Sequence, residues 1–144
     1  MDLLKDNSER ILGIDYGEKR VGIAITDPLR MFAIPLITIE NNQKFWDELK
    51  KVFQEYNIIQ IVLGYPLKED GSKSKITLLI EEFAEKLKNK YKISIELIDE
   101  RYSSAIAWEQ IVEGVPSRKK RRDKSLIDRN AAAVILNDYL KSIE

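Results

Sequence analysis

The chain predicts an α/β domain built on a mixed five-stranded sheet, three antiparallel strands followed by α-linked strands, with helices on both faces. Three observations carry that expectation. Residues 10–16, 20–27 and 32–39 are strand-like apolar runs separated by short connections, the pattern of an antiparallel meander. From residue 43 onward, segments with apolar residues at helical spacing alternate with short apolar strands, which implies helix-linked strands in a covered sheet. A length of 144 residues, 44% hydrophobic and 33% charged, fits a single domain able to bury roughly two thirds of its unfolded surface. No internal repeat, low-complexity tract or interdomain linker interrupts 1–144.

In the first strand Asp15 stands between Ile14 and Tyr16, and Gly17 follows as the residue able to take a positive φ in a tight hairpin. Pro28 and Pro35 lie near the ends of the third run, which suits an edge strand. Phe45, Trp46, Leu49, Val52, Phe53 and Tyr56 recur at helical spacing over 43–56, with Asn41 or Asn42 as the cap. A buried strand over 58–63 is ended by Gly64-Tyr65-Pro66, and Asp70-Gly71-Ser72 signals a turn. A second helix spans about 74–90, with Ile76, Leu79, Ile80, Phe83 and Leu87 on one face, and a strand covers 93–98. Ser103 or Ser104 can cap a helix to about Glu113, ended by Gly114 and Pro116, and a last helix runs from Ser125 to about Leu140.

Absences narrow the chemistry. Without cysteine there are no disulfides, zinc-thiolate sites or thiol nucleophiles. Without histidine there is no Ser-His triad and no imidazole acid-base chemistry. What remains is oxygen chemistry, and a metal held by oxygen ligands alone points to Mg²⁺, Mn²⁺ or Ca²⁺. No apolar run approaches the ~20 residues of a membrane span, and the amino terminus does not read as a signal peptide, so a cytoplasmic location is the default expectation. Net charge is zero, yet Arg118, Lys119, Lys120, Arg121, Arg122 and Lys124 crowd one segment opposed only by Asp123. Such a patch can bind a polyanion on a neutral molecule; a solvated loop is the plainer reading.

A carboxylate inside an apolar strand needs a compensating cation or donors. Two further acids could meet Asp15 at the carboxyl ends of the strands, where sheets of this kind bind ligands. Glu100 follows the fifth strand directly, and Asp128, in the first turn of the last helix, shares a face with Ala131, Ala132 and Ile135. Asp15, Glu100 and Asp128 form a candidate metal cage, whose mutual repulsion one or two divalent cations would reverse. Each has a simpler reading: Asp128 as a favourable charge at a helix start, Glu100 as the partner of Arg101, and Asp15 as a turn acid, which suits it least.

The motifs add a resemblance. Gly13-Ile14-Asp15-Tyr16-Gly17-Glu18-Lys19-Arg20-Val21-Gly22-Ile23-Ala24 resembles the opening motif of the YqgF (RuvX) family, small RNase H-like nucleases described as Holliday junction resolvase-like and linked to pre-16S ribosomal RNA processing. Val62-Leu63-Gly64-Tyr65-Pro66, Asp99-Glu100-Arg101-Tyr102-Ser103-Ser104, and Ser117-Arg118-Lys119-Lys120 leading to Ile127-Asp128-Arg129-Asn130-Ala131-Ala132 agree in order, from about Arg10 to Leu140. Tyr65 departs from the more usual leucine before Pro66, and Ser103-Ser104 stand where threonines are common.

The resemblance implies an RNase H-like fold, Mg²⁺ or Mn²⁺, and Asp15, Glu100 and Asp128 as the catalytic, metal-holding acids. It places Arg20 and Arg101 near the site within reach of phosphates, and the basic segment, Arg118, Lys119, Lys120 and Arg121, on the nucleic-acid backbone. The expected activity is endonucleolytic processing of a ribosomal RNA precursor, with ribosomal particles as further partners and a monomer or homodimer as the working form. Resolution of branched DNA is the alternative substrate, and a non-catalytic ribosome-assembly factor the alternative class. An actin-like ATPase, which begins similarly, would need a second lobe and a second glycine motif.

Overall fold

The computed structural model describes residues 7–99 and 124–144. Its elements are β1 (Glu9–Asp15), β2 (Arg20–Thr26), β3 (Ala33–Glu40), α1 (Phe45–Glu55), β4 (Asn57–Gly64), α2 (Lys75–Tyr91), β5 (Ser94–Ile98) and α3 (Lys124–Ser142). The strands form one sheet in the order β3-β2-β1-β4-β5. β2 is antiparallel to β1 and to β3, whereas β4 is parallel to β1 and β5 to β4. The fold expected from the sequence is therefore present, with helix boundaries shifted by one or two residues. The helix expected over 103–113 and the basic segment 118–122 lie outside the described residues.

Strand alternation divides β1 between two layers. Leu12 and Ile14 are fully buried with Leu49, Phe83 and Leu87 of α1 and α2. Ile11 packs on the other side with Ala132, Ile135 and Leu136 of α3. Burying an aliphatic side chain of this size contributes about 1.5–3 kcal/mol, so the two layers together hold the sheet. α3 is buried on its far side as well, at Ala131 and Val134, which is why its sequence lacks a clean apolar stripe. Polar bonds fix α3 along its length: the Thr38 hydroxyl donates to the Ser125 carbonyl (2.6 Å), the Asn137 side chain accepts from the Ala33 N–H (2.8 Å), and Gln60 donates to the Tyr139 hydroxyl (2.9 Å).

Several local expectations change. Gly17 does not take a positive φ. The β1–β2 connection has room without a tight two-residue turn, and glycine is required there because a Cβ would stand 2.5 Å from the Arg20 carbonyl oxygen. α1 begins two or three residues later than Asn42 or Asn41 capping would give; its N-cap is Lys44, and the Asn42 side chain instead accepts from the Lys44 N–H at 2.9 Å. Pro35 sits inside the edge strand β3, beside a shift in the β2–β3 register where a missing N–H does no harm. The Asp70-Gly71-Ser72 turn forms as expected, with the Ser72 N–H on the Asp70 carboxylate at 2.9 Å.

Candidate active site

Asp15 ends β1 opposite Gly22 of β2. Alternation places it, two residues after Gly13, on the face covered by α3. Gly22 lets α3 come down onto the sheet at this point: a Cβ there would lie 2.0 Å from the Asp128 carbonyl oxygen. Asp128 is thereby held above the strand pair that carries Asp15. The carboxyl of Asp15 is raised from 3.8 to about 7, first by burial and then by the negative charge of Asp128. Among the described residues no hydrogen-bond donor reaches it to offset either effect. Two acids are thus brought together in a setting that disfavours charging both, unless a cation joins them.

Asp128 lies beyond the first turn of α3, which holds no acid. The expectation of a first-turn position is corrected, and with it the reading of Asp128 as a dipole-stabilising charge loses its footing, since that effect fades within one turn. Its partner is Arg20, whose Nε donates to Asp128 Oδ2 at 2.8 Å. Arg20 at the start of β2 is therefore an orienting contact for an acid, and its reach toward a phosphate is limited to the rest of its guanidinium.

β1, β4 and β5 run parallel, so their carboxyl ends share one sheet edge, and the Tyr65 N–H bonds the Ile98 carbonyl at 2.7 Å there. β5 ends at this edge with Ile98, and Asp99 is the last residue described there. Glu100, Arg101, Arg118, Lys119, Lys120 and Arg121 lie outside the described residues. Among the described residues no group of three potential metal ligands is complete.

The chain matches the family described as "RuvX: Holliday junction resolvase" over residues 9–142. It is 40% identical over 137 residues to a protein of Dictyoglomus turgidum named "Putative pre-16S rRNA nuclease", covering 93% of this chain and 95% of that one. A protein of the same name from Chlorobium phaeobacteroides is 42% identical over 135 residues, 93% of each chain. The chain belongs to the RuvX family.

A RuvX-family member is a nuclease, a hydrolase of phosphodiester bonds with nucleic acid as its partner, and membership implies a divalent metal in general terms. The fold agrees. Thermus thermophilus RuvC in complex with a Holliday junction substrate superposes with a TM-score of 0.56 at 13% identity, covering 94% of this chain and 95% of that one. Fowlpox virus resolvase with Holliday junction DNA gives 0.52 at 16%, covering 93% and 98%. No helix among the described residues is long and apolar enough to cross a membrane.

Sequence reasoning overlooked Gly22 as the residue that seats Asp128. A glycine inside a strand was a readable signal, since it weakens the strand unless another backbone must approach closely. The Arg20–Asp128 pair, 108 residues apart in the chain, left no signal.

Proposed function

We propose that this chain is a divalent-metal-dependent endonuclease that processes the end of pre-16S ribosomal RNA in the cytoplasm, with Asp15, Glu100 and Asp128 holding Mg²⁺ or Mn²⁺. The observation that carries the reading is the state of Asp15: partly buried, raised to about 7, and facing a second carboxylate. A hard cation accepts oxygen ligands and removes the penalty on both acids, so this donor set fits one. Bound there, the metal would supply an activated water and stabilise charge at the phosphodiester.

The chain's own residues have separate tasks. Arg20 fixes the orientation of Asp128, and Gly22 sets its height over the sheet. The sheet core behind Asp15 excludes water from one side of the site. Arg101 and the basic segment with Arg118, Lys119, Lys120 and Arg121 would hold the RNA backbone, contributing affinity without sequence choice. The names borne by the relatives favour a ribosomal precursor as substrate.

The test is purified protein with a pre-16S precursor and, in parallel, a four-way DNA junction, each with and without Mn²⁺. Metal-dependent cleavage of the precursor that Asp15→Asn abolishes supports the proposal. Cleavage of the junction alone would replace the substrate, and full activity of Asp15→Asn would remove the site.

A further inference from the structure

On the face of the sheet opposite the acids, between Tyr16 and the helices α1 and α2, lies an open-sided cavity of about 160 Å³. Tyr16 follows Asp15 directly, and alternation turns its ring toward α1 and α2. There it meets Phe83 (ring centres 4.6 Å apart), while Trp46 lies 5.6 Å from Phe83 and 5.1 Å from Phe45. Phe45 and Phe83 are buried, but Tyr16 and Trp46 remain partly exposed at the opening. Glu82 and Lys86, one turn apart on α2, line it with charge, and the Lys90 ammonium stands 5.1 Å from the centre of the Trp46 ring. Asn41 fixes the rim between cavity and acids, its side chain donating to the Gly17 carbonyl and its backbone N–H to the Lys19 carbonyl, both at 2.9 Å.

We propose that this aromatic cavity is a subsite for one unstacked pyrimidine base of the substrate strand, cytosine by preference, so that the enzyme reads an unpaired nucleotide beside the bond it cuts. This rests on the nuclease reading above. Single-stranded bases are recognised by stacking on aromatic rings together with hydrogen bonds to their edges. The space is about that which holds one benzene ring, so a single ring fits within it and a fused purine would project from its open side. Cytosine presents an amino donor that the Glu82 carboxylate can accept, beside acceptors for the Lys86 ammonium. Uracil would set a carbonyl oxygen against the Glu82 carboxylate. Along the chain the 16–19 turn, held by Asn41, separates the acid from the cavity, so a strand that engages both passes around this end of the sheet.

The protein has two tryptophans, so a Trp108→Phe variant leaves Trp46 as the fluorescent reporter. Titration with cytidine monophosphate should quench it saturably, and uridine and adenosine monophosphates should bind at least about threefold more weakly. Glu82→Gln, whose carboxamide can donate as well as accept, should erase the preference for cytidine over uridine; Glu82 is exposed, so folding is not at risk. Absence of saturable quenching, or a preference untouched by Glu82→Gln, overturns the subsite even if RNA is cleaved normally. Cytidine binding as described in a protein that cleaves no RNA sustains the subsite and removes the nuclease reading alone.

Discussion

Asp15 and Asp27 each close a strand, at opposite ends of the sheet, and their environments push them in opposite directions. Asp15, at the end of β1, has burial and a neighbouring acid against it and rises to about 7. Asp27, just past β2, is also buried, and burial alone would raise it. Its carboxylate, however, accepts from the N–H groups of Met31 (2.7 Å), Phe32 (2.9 Å) and Leu29 (3.2 Å), and these hold it below the usual 3.8. Burial is common to both; among the described residues, backbone donors reach Asp27 alone. An acid supplied with donors organises a loop, whereas an acid deprived of them is left needing something from outside the chain.

The largest expected effect is in pH dependence. Between about pH 4 and pH 7 folded Asp15 keeps a proton that the unfolded chain has released, so the metal-free protein loses stability as pH rises through that window. The loss should be roughly 2–4 kcal/mol after allowing for the partial exposure of the carboxyl, measured by urea unfolding at a series of pH values. Asp15→Asn should flatten the curve between those limits, and Mn²⁺ should restore stability at pH 7 and above. Asp27 acts in the reverse sense, its contribution present above the unfolded value and lost as acid drives the pH through its lower folded one. A curve that climbs between pH 4 and 7 in the metal-free protein would contradict the contrast.

Gly22→Ala tests the seat of Asp128. A methyl group 2.0 Å from a backbone oxygen and 2.3 Å from its carbon must lift α3, costing about 3 kcal/mol and weakening Mn²⁺ binding together with cleavage. Normal metal affinity in a folded Gly22→Ala protein would show that the height of α3 is immaterial. At the other end, Asp27→Ala should lower stability by about 2 kcal/mol through the loss of acceptors for three N–H groups, with cleavage per folded molecule unchanged. Comparing thermal unfolding with specific activity separates these two variants. Arg20→Gln should have the smallest effect on stability, under about 1 kcal/mol for a pair partly open to solvent, and should show instead as weaker Mn²⁺ binding in calorimetry.

Much of the fold was legible because strands and helices declare themselves through periods of two and 3.6 residues. The first three strands and the helices over 43–56 and 74–90 carried such periods, the final helix was marked by Ser125 at its start, and the described residues place all of them within one or two positions. Asp15 was legible for a related reason: a charge within an apolar strand is a local anomaly. What lies between residues distant in the chain had no such signature. Arg20 read as a phosphate contact because nothing in the sequence brings Asp128 to it, and Asp27 read only as the end of a strand.

By itself the sequence determined the order of the described elements, the absence of thiol and imidazole chemistry in a chain without cysteine or histidine, and which acids are available instead. Tertiary structure alone decided that, among the described residues, Asp15 goes without donors while Asp27 collects three, and that α3 descends far enough at Gly22 to set Asp128 against Asp15. The reason is physical: periodicity is written along the chain, but a carboxyl group's ionisation depends on the dielectric, the charges and the donors that packing brings to it from elsewhere.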